Sequence, residues 1–254
     1  MNTRAFGWIP DIPDIRDLQF RFIPPADLLL KLPPKEDLRP GLPEEIYDQK
    51  NLGSCAANAG VVADEYCQRR QRGKSVRGSR LFLYRCTRKL EGTVPIDAGA
   101  TIRDTLKAMN KWGIPPENLW EYDIERFTED APPEVYIMAE KHQAVVYSRV
   151  EQNLQHLKVR IAMGYPIMYG FSVYESFNRG DVARTGKVEM PNFFDRMIGG
   201  HANVLVGYDD EIEHFLSRNS YGKDFGDHGY LWLPYEYVTN SDLAADFWTL
   251  MVIE

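Results

Sequence analysis

Gln49-Lys50-Asn51-Leu52-Gly53-Ser54-Cys55 leads directly into the helix-forming run Ala56-Ala57-Asn58-Ala59-Gly60-Val61-Val62-Ala63. Cys55 therefore lies where a loop becomes a helix, which we expect to run to about Gln71. The helix dipole and the free N–H groups at such a position lower the pKa of a thiol and favour the nucleophilic thiolate. The side-chain amide of Gln49 can donate to an oxyanion that forms beside this thiol. The stretch predicts a nucleophile with an oxyanion donor close by.

A thiol nucleophile also needs a base, and histidine is the side chain that takes up and returns a proton at neutral pH. His201 follows two glycines in Ile198-Gly199-Gly200-His201-Ala202-Asn203-Val204, at the mouth of a predicted strand. Glycines there let the backbone turn tightly and leave the ring accessible from a cleft. A third group must hold the imidazole in one tautomer, and Asn219 in Arg218-Asn219-Ser220-Tyr221-Gly222 is the candidate.

The ordered set of Gln49, Cys55, Gly-His-Ala and Asn-Ser-aromatic-Gly closely resembles the papain family of cysteine peptidases, over most of residues 32 to 254. The resemblance implies Cys55 as the nucleophile, His201 as the base, Asn219 as its orienting amide and Gln49 as the oxyanion donor. It also implies substrate-facing roles for Gly99, Ala202 and Tyr221; Tyr221 stands where the family usually has a tryptophan that shields the His–Asn hydrogen bond. No metal or cofactor is implied.

The resemblance further implies an α+β fold of two lobes with the active-site cleft between them. The helical lobe would lie mainly in residues 50–120 and the antiparallel β-barrel lobe mainly in residues 135–254. The hydrophobic patterns and the turn residues of the sequence indicate the same order, since the predicted helices come first and the short apolar, β-rich segments follow. Two further helices are predicted, one over 101–112 and one that begins at a capping box over 148–151 and ends at Gly164.

Residues 1–31 are predicted to form an extended arm ahead of the catalytic domain of residues 32–254, with one helical turn near Ala26 to Leu30. Repeated prolines restrict this segment, and its many apolar side chains predict that it packs on the body. It is far shorter than the long helical pro-domain of the family. Any zymogen-like inhibition would therefore depend on this arm, and whether it inhibits or only stabilises is left open.

Composition limits the partners of the chain. The formal charge of −7 gives no general attraction to nucleic acid, and no apolar run approaches the roughly 20 residues that span a bilayer. Residues 69–89 contain nine Lys or Arg and no acid, so an anion or partner contact at Arg69, Arg70, Arg72 and Lys74 is one hypothesis and a solvated basic helix end is the other. We recognise no signal peptide in the chain as given.

Three cysteines permit at most one disulfide, a usage compatible with the cytoplasm. Cys67 and Cys86 are predicted to be buried thiols, although a bridge between them stays open. The predicted activity is hydrolysis of peptide or protein substrates, by endo- or exopeptidase action. The alternatives are an amidase or transpeptidase on the same fold, and a non-catalytic binding module whose cleft the arm fills.

Overall fold

The computed structural model describes residues 5–19, 32–179 and 181–253. Helices predominate in the first half of these residues and strands in the second. The helices are α1 (Cys55–Arg72), α2 (Arg80–Glu91), α3 (Ile102–Lys111), α4 (Pro133–Ala139), α5 (Leu154–Ala162), α6 (Glu175–Arg179), α7 (Val182–Thr185) and α8 (Tyr235–Thr239), with 3-10 turns at Arg39–Gly41, Glu117–Leu119 and Ile124–Arg126. The predicted α+β class is confirmed.

Within the described residues, seven strands form one antiparallel sheet in the order β2-β7-β3-β4-β5-β6, with β1 paired to β4. The strands are β1 (Lys35–Asp37), β2 (Ala144–Arg149), β3 (Ile167–Tyr174), β4 (Met197–Asp209), β5 (His214–Arg218), β6 (Tyr230–Pro234) and β7 (Ala244–Ile253). Strand β3 is buried from Ile167 to Val173, as expected for a continuous apolar run in the middle of a sheet.

Helix α1 is the central helix, and it packs against both β4 and β7. Its residues from Cys55 to Gln68 are buried, which the small side chains of its first turns permit. The helix ends at Gly73, whose φ of +73° lies in the left-handed region that glycine adopts without a steric penalty. The basic side chains of its last turn complement the negative end of the helix dipole.

Several predicted element boundaries are wrong. Helix α5 begins after Asn153, whose side chain accepts from the Gln155 N–H, while Ser148 and Arg149 belong to β2. A local side-chain cap replaces the predicted capping box, because residues 144–149 pair with β7. The solvated basic segment of residues 69–89 in fact contains helix α2, which is capped by Ser79 and has a buried face. The helical turn predicted near Ala26 to Leu30 lies outside the described residues.

Candidate active site

Adjacent antiparallel strands bring His201 and Asn219 together. His201 lies within β4, and Asn219 directly follows β5. In the antiparallel pairing of these two strands, Val204 lies opposite Arg218. His201 Nε2 donates to Asn219 Oδ1 over 2.8 Å, and both side chains are buried. An acceptor at Nε2 fixes the proton on that nitrogen, which leaves Nδ1 as the atom that exchanges a proton with a reacting group.

Tyr221 covers one face of the His201 ring. The two rings are stacked with centroids 4.5 Å apart and an interplanar angle of 24°, and the tyrosine hydroxyl lies 3.4 Å from His201 Nδ1. Phe171 meets the imidazole edge-on at 5.6 Å. These aromatic neighbours exclude water from the His201–Asn219 hydrogen bond, and a low local dielectric strengthens that bond.

Cys55 is the first residue of α1, and its side chain is completely buried. Burial raises the pKa of the Cys55 thiol to about 11, while smaller contributions from the N–H groups of Ala202, Gly7 and Ala56 at the sulfur lower it. The Ala202 N–H at this sulfur places Cys55 beside the residue that follows His201. The lowered thiol pKa expected at a helix start is therefore wrong for this state of the molecule, because desolvation outweighs the helix end.

The Gln49 side chain is held at both ends of its amide. Ser220 Oγ donates to Gln49 Oε1 over 2.6 Å, so the amide nitrogen must point the other way. Gln49 Nε2 donates to the backbone oxygen of Leu52 at 3.0 Å and to that of Ala5 at 3.2 Å. An amide fixed in this way presents a preorganised donor to any carbonyl oxygen that enters the cleft.

The arm itself supplies that carbonyl, because its described part runs through the cleft between Ala100 on the helical side and Gly200 on the sheet side. Trp8 N–H donates to Gly200 O over 2.9 Å on the sheet side. On the helical side, Ala100 N–H donates to Gly7 O over 2.7 Å and Ile9 N–H donates to Ala100 O over 3.1 Å. The arm therefore bridges the segment before α3 and the strand that carries His201.

Glycines on β3 and β4 make room for the arm. A Cβ atom at Gly170 would overlap the Trp8 indole, and one at Gly200 would lie 2.8 Å from the same ring. A Cβ atom at Gly199 would lie 2.7 Å from Phe6. The expectation that these glycines form a turn before His201 is wrong, since Gly199 and Gly200 are strand residues whose missing side chains leave a slot.

Other predicted site residues have structural partners. The Gly99 N–H donates to the Tyr84 hydroxyl at 3.1 Å, so Ala100 rather than Gly99 pairs with the arm. Arg69 donates to Leu42 O over 2.8 Å, and Arg70 donates to Gly164 O. The anion or partner contact predicted for Arg69, Arg70, Arg72 and Lys74 stays a prediction.

The three cysteines Cys55, Cys67 and Cys86 are free thiols.

A tyrosine that sequence reasoning missed supports the loop of residues 49–54. The Tyr122 hydroxyl donates to Gln49 O over 3.0 Å and lies 2.5 Å from Ser54 Oγ. Arg80 packs its guanidinium 4.0 Å above the Tyr122 ring. Tyr122 lies in a loop without periodicity, so no sequence signal marked it. The role of Ser220 was also missed, although its place beside Asn219 in the quoted motif was a usable signal.

Comparisons with known proteins agree with this geometry. The model of the papain family of cysteine proteases matches residues 32–248. The chain belongs to the papain family. It is 36% identical to an uncharacterized peptidase C1-like protein of Acanthamoeba polyphaga mimivirus, over 99% of this chain and 88% of that protein. The members of this family are cysteine proteases, hydrolases that act on peptide or protein substrates.

Solved structures show the same fold. Xylellain, a cysteine protease from Xylella fastidiosa, superposes on this papain-family protease with a TM-score of 0.90 and 40% identity, covering 99% of this chain and 97% of xylellain. Procathepsin L 3 of Tenebrio molitor shares the fold with a TM-score of 0.72 at 18% identity, over 93% of this chain and 75% of that chain.

Among the described residues, no helix combines the length and apolar character needed to cross a membrane.

The reactivity of Cys55 should follow its raised pKa. With a thiol pKa of about 11, roughly one molecule in a thousand carries the thiolate at pH 8. We therefore expect the rate of Cys55 alkylation by iodoacetamide to be very low at pH 7 to 8 and to rise as the pH rises. Mass mapping of the alkylated peptide measures this rate. A fast reaction at pH 7 that does not change with pH would contradict the prediction.

Proposed function

We propose that this papain-family protease cleaves peptide bonds with Cys55, His201, Asn219 and Gln49, and that residues 5–9 of its arm inhibit it by filling the cleft. The observation that carries the proposal is the position of the Ala5 carbonyl on Gln49 Nε2, with the Gly7 N–H at the Cys55 sulfur. A peptide backbone thus already occupies the space that a substrate would need.

In the proposed mechanism, the Cys55 thiol transfers its proton to His201 Nδ1 and the sulfur attacks the substrate carbonyl carbon. The Gln49 side-chain N–H and the Cys55 backbone N–H donate to the oxyanion that develops. Protonated His201 then gives its proton to the leaving amine, which departs and leaves a thioester on Cys55. A water molecule, deprotonated by the same imidazole, releases the acid and restores the thiol. Asn219 holds the ring through Nε2 throughout.

The arm inhibits through two physical effects. Its backbone takes up donors of the cleft, and its covering keeps Cys55 out of water. Because desolvation disfavours the thiolate, the covered thiol stays protonated at neutral pH. Displacement of residues 5–9 would expose the sulfur and return Gln49 Nε2 to a substrate carbonyl.

Replacing Gln49 with alanine should lower kcat by about 10²- to 10³-fold with a smaller change in KM, because the lost donor acts mainly on the oxyanion. The measurement is steady-state hydrolysis of a fluorogenic peptide in the Trp8→Ala background, in which the arm is weakened. Gln155→Ala, an exposed glutamine on α5, is the matched control and should behave like its parent. An unchanged kcat in Gln49→Ala would remove Gln49 from the mechanism.

The filled cleft also favours a second candidate function, a binding module whose arm never leaves. The two functions differ in the response to arm-weakening variants, since only a peptidase gains Cys55-dependent hydrolysis. Product analysis on internal and terminally blocked peptides distinguishes endo- from exopeptidase action. The same analysis in the presence of free amines distinguishes hydrolysis, by a peptidase or an amidase, from transpeptidase chemistry, and the bond cleaved distinguishes a peptidase from an amidase.

A further inference from the structure

Beyond the cleft, the arm has a second attachment that is made mainly of charged groups. Asp17 accepts from Arg103 Nε at 2.9 Å and Nη2 at 2.6 Å, and from Arg149 Nε at 2.6 Å. Asp11 accepts from Arg149 Nη2 at 2.7 Å and from the Trp248 indole at 2.9 Å. Two carboxylates on the arm thus meet two guanidinium groups on the body.

The body half of this attachment comes from three elements. Arg103 comes from α3, Arg149 from β2 and Asp246 from β7. Arg149 Nη1 lies 3.3 Å from Asp246 Oδ1, and its guanidinium packs 4.6 Å above the Trp248 ring. If the arm leaves, this cluster holds two guanidinium groups against one carboxylate. The vacated surface therefore favours anionic ligands, and the arginine forks match carboxylate geometry.

The apolar side chains of the same arm segment do not hold it in place. Ile12 is 81% exposed, Ile15 103% and Leu18 57%. The arm does pack on the body, but not through these three side chains, because the short turn over residues 15–17 directs the segment's carboxylates, not its isoleucines, inward. Ion pairs and hydrogen bonds can exchange with an equivalent acidic ligand, whereas a buried apolar anchor would be specific to this arm.

We propose that Arg103 and Arg149 form a binding site for an acidic peptide, which residues 11–17 of the arm occupy in this state and for which a carboxylate-bearing partner peptide competes. Hereafter we call this the latch site. Asp246 links it to the cleft, because Asp246 Oδ2 accepts from both the Trp8 indole at 3.2 Å and the Asp11 N–H at 2.7 Å. A peptide that takes the latch site therefore loosens Trp8 and opens the cleft, which rests on the proposed inhibition by the arm.

Binding is tested in the full chain with Cys55→Ala, so that no probe is cleaved. The probe is a fluorescent synthetic peptide with the sequence of residues 9–19, which keeps only Ile9 of the cleft-filling residues 5–9. The control probe carries asparagine in place of Asp11, Asp14 and Asp17. Because a tethered arm competes at an effective concentration near millimolar, the binding variant also carries Asp11→Ala and Asp17→Ala.

We expect fluorescence anisotropy to show that the binding variant, which carries Cys55→Ala, Asp11→Ala and Asp17→Ala, binds the acidic probe at least tenfold more tightly than the chain with Cys55→Ala alone. The asparagine probe should bind at least tenfold more weakly, and so should the acidic probe when Arg103→Gln is added. In this background the Asp17 contacts of Arg103 are already gone, and the one arm contact that Arg103→Gln still removes is the donation of Arg103 Nη1 to Ile12 O over 2.7 Å, which would favour probe binding rather than weaken it. Equal binding by all three chains, or equal binding of both probes, would overturn the site.

Opening is tested by alkylation of Cys55 in the full chain with only Asp17→Ala, which needs no peptidase activity. Adding unlabelled residue 9–19 peptide should raise the alkylation rate at pH 8 at least fivefold, and the asparagine peptide should leave it unchanged. Binding without faster alkylation would overturn the coupling to the cleft. Absence of Cys55-dependent hydrolysis in every variant would instead count against the proposed function, and the binding result would be unaffected.

Discussion

Cys55→Ala should lower kcat/KM for peptide substrates by at least 10⁴-fold. The sulfur forms the acyl-enzyme bond, and neither His201 nor Gln49 can replace a missing nucleophile. The measurement compares hydrolysis of a fluorogenic peptide by Trp8→Ala with and without Cys55→Ala, so that the arm does not mask the effect. Covalent labelling by a thiol-reactive epoxide should disappear in the same variant.

The two other cysteines provide the controls for this experiment. Cys67 and Cys86 are buried free thiols, and burial raises the pKa of each to about 12. Cys67→Ala and Cys86→Ala should therefore keep the kcat of their parent, at some cost in thermal stability because each leaves a small cavity. Turnover that survives Cys55→Ala and is lost in either control would assign the nucleophile elsewhere.

Trp8→Ala should raise peptide hydrolysis by about 10²-fold over the unchanged chain. The Trp8 side chain is 8% exposed in a slot lined by Gly170 and Gly200, and its indole donates to Asp246. Truncating a buried tryptophan costs about 3–5 kcal/mol, and each 1.4 kcal/mol changes an equilibrium tenfold. The closed state should lose this stabilisation while the catalytic groups stay in place. Initial rates at saturating and at low substrate measure the gain.

Two further variants make this prediction sharp. Gly7→Ala should activate as well, because a Cβ atom at residue 7 would overlap the backbone of Gly53. Ile15→Ala lies on the same arm with its side chain fully in solvent, and should leave the rate within about twofold of the unchanged chain. Activation by Ile15→Ala to the same degree as Trp8→Ala would mean that the gain does not come from emptying the slot.

Together the two results separate the candidate functions. A peptidase inhibited by its arm gains activity in Trp8→Ala and loses it in Cys55→Ala. A binding module with a permanently filled cleft shows no hydrolysis in either variant. The latch site has its own readouts, so its test does not depend on this outcome.

The sequence predicted much of the site because the chemistry of a thiol hydrolase needs few residue types in fixed local settings. Cys55 begins a helix, and apolar runs predicted one strand directly after His201, which in the structure includes His201, and another directly before Asn219. The α+β class also followed from the order of helix and strand signals. Wrong boundaries occurred where local patterns compete, as at Ser148, which fits a capping box but pairs in β2 with β7.

The features that sequence could not supply depend on long-range packing. The arm's apolar residues looked equivalent, yet Trp8 is buried while Ile12 and Ile15 face solvent. Which of them is buried depends on the slot that Gly170 of β3 and Gly200 of β4 leave open, more than a hundred residues further along the sequence. The pKa of Cys55 is a second case, because its largest influence is the water excluded by the arm and the sheet.

By itself, the sequence determined the family and the candidate site: a cysteine at a helix start, a Gly-His-Ala segment and an Asn-Ser-Tyr-Gly segment are local patterns whose chemistry can be read residue by residue. Only the tertiary structure decided the state of that machinery. It places the Ala5 carbonyl on Gln49, buries Cys55 as a protonated thiol and ties Asp11 and Asp17 to Arg103 and Arg149. The physical reason is that desolvation and ion pairing depend on the neighbours that the fold brings together, not on those adjacent in the chain.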